Sequence, residues 1–181
     1  MSLAVTILVG DPSGVLRQGD VCVVDFFPRW DVAKSQTVSS QSGTVAIQMS
    51  AWNSVKEGPD GGHLVVVCSH DCDVDNPRQR TGLLLAPVIK TPAHRGTELY
   101  ATIMGSDQIL DGVVHAAGLF PLSIPDVGGE ATDVVIDFSS LISMGQPVRV
   151  IPMLREKKLY EMDDAMRVRF KMKLAAFVGR P

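Results

Sequence analysis

The sequence predicts one domain over residues 1–181, α+β but mainly β, in which antiparallel strands form a barrel and a helix closes the C-terminus. Three observations predict it. Short Val/Ile-rich segments recur along the chain. Turn residues separate them with no regular helices in between, which favours antiparallel connections over a doubly wound sheet. A sustained helical period follows Asp163 and is the clearest one in the chain. With 181 residues and 45% apolar composition, the chain is large enough to bury a core without disulfide or metal staples.

In chain order, the expected strands are Val5–Val9, Val21–Phe27, Thr44–Met49, Leu64–Ser69, Gly82–Ile89, Val113–Pro121, Thr132–Phe138 and Pro147–Pro152. Turn chemistry lies between them at Asp11-Pro12-Ser13-Gly14, Gly58-Pro59-Asp60-Gly61-Gly62, Asn76-Pro77 and Asp126-Val127-Gly128-Gly129. The segment Asp31–Asn53 reads as a long loop or hairpin excursion, and residues 96–111 have room for a short helix. In the C-terminal helix Asp163 is the expected N-cap, Met166, Phe170, Leu174 and Phe177 share one stripe, and Gly179 and Pro181 end it. The barrel core is expected over residues 15–121, with added strands and the helix over 122–181.

Charge is unevenly distributed. Residues 1–148 carry 8 Lys/Arg against 16 Asp/Glu, and residues 149–181 carry 9 against 4. A basic C-terminal segment of this kind either meets an acidic partner such as RNA or neutralises the acidic body, and the second reading is the stronger. No apolar run reaches the ~18–20 residues of a membrane helix. The apolar N-terminus lacks the basic flank of a signal peptide and reads as a strand, so a cytoplasmic protein without a membrane partner is expected. Three cysteines, Cys22, Cys68 and Cys72, argue against a disulfide framework and for a reducing compartment.

Two blocks carry a resemblance. Gly19-Asp20-Val21 through Val24-Asp25-Phe26 and Pro28 forms the first. The second is the Leu64-Val65-Val66-Val67 strand followed by Thr81-Gly82-Leu83-Leu84-Leu85-Ala86-Pro87-Val88. Together, over about 40 residues, they resemble the PemK/MazF family of toxin–antitoxin ribonucleases. The resemblance implies a small SH3-like β-barrel, a homodimer, and cleavage of single-stranded RNA with no metal or other cofactor. The sequence departs from the family at both catalytic positions. Gly62-His63 stands where the family has Arg-Pro, and Ile89, with Lys90 and Thr91 after it, stands at the family's Thr or Ser. No family residue role transfers. His63 is the substitute candidate for proton transfer, its reference pKa of ~6.5 suiting acid–base work.

The polar loop between those strands has chemistry of its own. If residues 68–72 are extended, Cys68, His70 and Cys72 share one face and Asp71, Asp73 and Asp75 the other. The first trio offers a nucleophile–base pair, with Arg78 and Arg80 close in sequence, or a zinc set completed by Cys22 or water. The zinc spacing matches no standard finger, and no metal is expected. The Asp71, Asp73, Asp75 run fails the calcium-loop pattern at Asn76, Pro77 and Gly82. Asp75-Asn76-Pro77 reads equally well as a plain turn, and Cys68 and Cys72 as small buried hydrophobes. His63, His70, Cys72 and Asp73 are thus the catalytic candidates; Arg78, Arg80, Lys90, Arg167 and Lys171 are the candidates for nucleic-acid contact.

Three functions follow in order of preference. The first is a MazF-like barrel that binds nucleic acid or a protein, with its ribonuclease site lost or altered. The second is a hydrolase or phosphodiesterase using the Cys68–Arg80 loop, and the third is a metal-stabilised module.

Overall fold

The computed structural model describes residues 7–8, 14–25, 27–29, 38–39, 45–46, 50–51, 62–79, 82–91, 94–105, 109–110, 113–114, 118–125 and 131–179. Among them, eight strands build one antiparallel sheet: β1 (Ile7–Leu8), β2 (Val21–Val24), β3 (His63–Val67), β4 (Gly82–Lys90), β5 (Leu119–Pro125), β6 (Ala131–Asp137), β7 (Ile142–Gly145) and β8 (Lys158–Met162). Their order is β1-β8-β2-β3-β4-β6-β5, with β7 also on β4. The sheet curls into a half-barrel, and β1 and β5, the two ends of that order, come into contact. Four helices accompany it: α1 (Asp71–Asp75), α2 (Glu98–Met104), α3 (Pro147–Glu156) and α4 (Asp164–Val178). The fold is the expected α+β one, mainly strands with a C-terminal helix.

The apolar runs that predicted strands are explained by burial of the sheet on both faces. Val21, Val23, Leu64, Val66, Ala86 and Val88 turn to the concave side, where Met166, Phe170 and Leu174 of α4 pack on them. Cys22, Val24, Val65, Val67, Leu83 and Leu85 turn to the other side, under Val150, Ile151 and Leu154 of α3 and Val74 of α1. Strands buried on both faces have no polar face to show, so they read as continuous runs such as Leu64–Val67 rather than alternating ones. Phe170 sits at the centre, edge-on to Phe120 and Phe138 at centroid distances of 5.4 and 5.6 Å.

Strand β4 organises the sheet. Val65, Val66 and Val67 of β3 pair with Pro87, Ala86 and Leu85 along one edge. Along the other edge β6 covers Val88–Lys90 and β7 covers Gly82–Leu85. Between β6 and β7 the 3₁₀ turn Phe138–Ser140 interrupts pairing and drops Phe138 into the core. Asp137 caps that turn by accepting from the Ser139 N–H at 2.9 Å.

Two expectations are corrected, and one strand is added to them. Pro147–Pro152, expected as a strand, is the start of α3: Pro147 fits the first helical turn, where its missing N–H has no partner to lose. Residues 113–121 divide into a hairpin of Ile109–Leu110 with Val113–Val114, and then β5. Strand β8 was not foreseen. It lies between β1 and β2. Only parts of the expected Val5–Val9 and Thr44–Met49 strands and of the Asp31–Asn53 excursion are among the described residues, and the Asp126–Gly129 turn lies outside them. No helix among the described residues is long and apolar enough to cross a membrane.

Candidate functional site

The loop after β3 is pinned before it turns. The Cys68 N–H donates to the Leu84 carbonyl at 2.8 Å, and the Leu84 N–H donates to Ser69 Oγ at 2.8 Å. His70 then caps α1, its ring accepting from the Cys72 N–H at 3.3 Å. The loop is therefore helical rather than extended, and the expected sharing of one face by Cys68, His70 and Cys72 does not occur. Cys68 is buried in the concave core and Cys22 in the opposite one. Burial pushes both thiols well above the ordinary cysteine value, and the Asp20 carboxylate adds to the effect at Cys22. A zinc set built from them is dispersed. Among the described residues, no group of three or more His, Cys, Asp or Glu could hold a metal ion.

The helical turn does bring two of the candidates together. Cys72, the exposed cysteine, places Sγ 3.1 Å from His70 Nδ1 and 3.8 Å from Asp73 Oδ1. The contact sets a candidate nucleophile beside a candidate base. Val74 anchors the helix from beneath, and Asn76 closes it by donating both its backbone N–H and Nδ2 to the Cys72 carbonyl at 3.1 Å.

Asp71 faces away from the pair and serves as a staple. It accepts from the Gln18 N–H at 2.7 Å and from Lys171 Nζ at 2.6 Å, while Gln18 Nε2 donates to the Cys68 carbonyl at 2.7 Å. Partial burial opposes ionisation of Asp71. The Lys171 ammonium and the Gln18 N–H outweigh it and hold the carboxyl below the usual carboxylate value.

His63 does not join this group. It begins β3 while His70 follows its far end, and the five-residue strand between them alone spans ~13 Å. His63 is buried and pairs with Val24. The positions that the family resemblance singles out sit at the same end of the sheet. At Gly62 an added Cβ would stand 2.4 Å from Val23 Cγ1 and 3.0 Å from the Val24 carbonyl oxygen, so a side chain fits only if Val23 moves. Ile89 is half-buried and pairs with Val135.

The four candidate cations among the described residues do not share one surface. Arg78 and Lys90 are exposed, but β4 runs between them, and eight rises along that strand come to ~26 Å. Arg80 lies outside the described residues. Lys171 is committed to Asp71. Arg167 is a correction: it is buried, and its guanidinium meets Asp20 Oδ1 at 3.1 Å, the Met162 carbonyl at 3.1 Å and the Gln18 carbonyl. It has no face for a phosphate.

Sequence reading missed two polar clusters. Asp20, with no exposed side-chain surface, accepts from the Arg17 N–H at 2.8 Å and pairs with Lys158 at 2.9 Å as well as with Arg167. Gly19, at φ +93°, makes the turn that aims Asp20 inward and donates its N–H to the Val67 carbonyl at 2.8 Å. The one available signal was Lys158 opening an apolar strand. The second cluster is Asp133, which accepts from Ser123 Oγ at 2.8 Å, from Arg95 Nε and Nη2 at 3.0 and 2.8 Å, and from the Tyr100 hydroxyl. Burial works against its ionisation, but these donors lower its pKa. Tyr100, desolvated and donating to Asp133, is pushed up. With both Asp133 oxygens occupied, the cluster fastens α2 to the sheet. No family model matches this chain, and no curated protein matches it either.

Proposed function

We propose that the chain is a MazF/PemK-like, SH3-like barrel module that has lost the family's ribonuclease site and works by binding a protein partner. One observation carries this reading. Val21–Val24, Leu64–Val67 and Gly82–Val88, from the two blocks of the resemblance, lie on the adjacent strands β2, β3 and β4, and the position of the family's arginine is Gly62, where an added Cβ would overlap Val23. The hydroxyl position is Ile89, which supplies neither a proton nor a hydrogen bond. Loss of both groups removes the family's means of stabilising a cleaved phosphate.

A protein is favoured over RNA because four of the nine C-terminal cations are paired within the chain, while Arg149 and Arg155 remain exposed. Lys157 pairs with Asp25, Lys158 and Arg167 with Asp20, and Lys171 with Asp71, all carboxylates of the acidic body. A titration of fluorescent single-stranded RNA at low and moderate salt tests this, run alongside a cleavage assay. The expected outcome is no cleavage and no saturable binding. Salt-sensitive binding would replace protein by RNA as the partner, and cleavage would end the reading.

A second reading has its own observation, the 3.1 Å approach of Cys72 Sγ to His70 Nδ1. It supports a thiol-based hydrolase acting at α1. Iodoacetamide labelling of native protein across pH tests it. Alkylation of Cys72 at neutral pH that is faster than in His70→Ala supports the pair, and equal rates in the two proteins exclude it.

A further inference from the structure

Three strands of the sheet have an edge without a ladder, and two of them are covered. β1 and β5 come into contact with each other, and β5 carries Pro121 and Pro125, which have no N–H to offer a neighbour. The third, β7, pairs with β4 along one edge only. The Leu84 N–H donates to Ser69 Oγ and the Leu84 carbonyl accepts from the Cys68 N–H, so Leu84 faces β3, while Leu83 and Leu85 face β7. Ile142 and Met144, opposite Leu85 and Leu83, therefore turn their peptide groups to β4, and those of Ser143 and Gly145 point out of the sheet. Both residues are exposed, and among the described residues neither outward peptide group has a hydrogen-bond partner. An added Cβ at Gly145 would meet nothing within 4 Å. Apart from its shortness, β7 has none of the devices that blunt an edge: residues 141–146 contain no charge and no proline.

We propose that this edge takes an extended segment of a partner protein, which adds to the sheet as a further strand beside β7. The inference rests on the binding-module reading and names how its partner is held. Outward peptide groups two residues apart, ~7 Å along the strand, are matched by an extended backbone and by no helix. The slot is short. The 3₁₀ turn Phe138–Ser140 closes it at one end, and Gln146, at φ +57°, turns the chain into α3 at the other. It therefore suits a free segment of about four residues rather than the edge of a second folded sheet. Side chains set the preference. Ile142 and Met144 are half-buried against the cluster under α3, so the partner residues opposite them should be apolar. The residue between, opposite Ser143, lies beside Leu84, which is 41% exposed, and suits threonine. The Ser143 side chain leans inward over Gly82 and leaves the edge clear.

The probe is a fluorescein-labelled peptide of three valine–threonine repeats with a lysine at each end, titrated against the full chain to about 1 mM at about 0.15 M salt. Saturable binding is expected. N-methylation of the threonine nitrogens, which face β7, should abolish it, and N-methylation of the valine nitrogens should not. Ser143→Pro removes an outward donor without costing a bond of the sheet, and should weaken binding about tenfold or more at an unchanged melting temperature. If that variant does not fold, the two methylated peptides decide alone. In the complex, amide exchange at Ser143 and Gly145 should slow by about tenfold or more. No binding at the highest concentration, or equal affinity of the threonine-methylated peptide, overturns the proposal. So does a doubling of the protein's own mass in sedimentation that is lost in Ser143→Pro, which would give the edge to a second copy. Failure of the binding-module reading shows separately, as RNA cleavage.

Discussion

Removing the Asp20 carboxylate should unfold this protein more readily than removing any surface charge. In Asp20→Ala the buried Lys158 and Arg167 lose their shared counter-ion, and the Arg17 N–H loses its acceptor. Breaking a buried pair by deleting one partner costs ~3–5 kcal/mol, because a desolvated charge is left behind. Two cations are affected, but the cost does not double. Lys158 keeps Glu161 and the Val15 carbonyl at 2.8 Å, and Arg167 keeps the Gln18 and Met162 carbonyls. For a chain of this size each kcal/mol moves the melting temperature by about 2–4 °C, so a fall of roughly 6–20 °C is expected. The comparison is Asp25→Ala, which breaks the Lys157 pair at 2.7 Å, where Asp25 is 82% exposed. An exposed pair is worth ~0–1 kcal/mol, so that variant should melt within about 4 °C of the parent. Thermal unfolding followed by circular dichroism at pH 7 reads both. An Asp20→Ala protein that melts no lower than Asp25→Ala would refute the assignment of this cluster as the buried tie between β2, β8 and α4.

Three further outcomes follow from the same contacts. Gly62→Ala should lower stability by about 1–3 kcal/mol in urea titration, because its Cβ would overlap Val23, and Gly62→Arg should not produce ribonuclease activity. Asp71 has its folded pKa below the unfolded value of ~3.9, so its contribution is fully present above pH ~4 and fades as pH falls through the folded value. The urea midpoint of Lys171→Met should accordingly lie below the parent's at pH 7 and converge on it in acid. Phe170→Ala should cost ~3–5 kcal/mol, since it empties the centre of the Phe120–Phe138 cluster; a loss under 1 kcal/mol would mean that the core collapses around the gap.

Where the sequence could be read, one element fixed its own burial. Residues 64–67 and 83–88 are apolar enough to be strands under any packing, and Asp163 with its Met166–Phe170–Leu174 stripe specifies α4 locally, down to the cap at 2.7 Å. Reading failed where distant residues decide. Strand β8 opens on a lysine, a poor strand signal until Asp20, 138 positions earlier in the chain, is known to neutralise it. Residues 147–152 look β-like because Val148 and Val150 alternate, but the spacing of the buried Val150, Ile151 and Leu154 is helical. At the loop after β3, an extended reading grouped Cys68 with His70 and Cys72. A cap by the His70 ring starts a helix instead, keeping the exposed thiol beside the imidazole and leaving Cys68 in the core.

The charge asymmetry finds its explanation in the same network. A segment of net charge +5 following a body of −8 looks like an arm for an acidic partner, and for this chain much of that partner is the chain itself. Asp20 and Asp25 flank β2 and Asp71 opens α1, and each meets a cation from α3's end, β8 or α4. Those pairs close the curl of the sheet by tying its C-terminal elements to its first strands. Once the cations turn inward, the outer side of α4 is left to valine, methionine and alanine. With Lys158 and Arg167 held on Asp20 and Lys171 on Asp71, the side chains of α4 that stand more than half exposed are Val168, Met172 and Val178, so charge on this helix serves the fold rather than the surface.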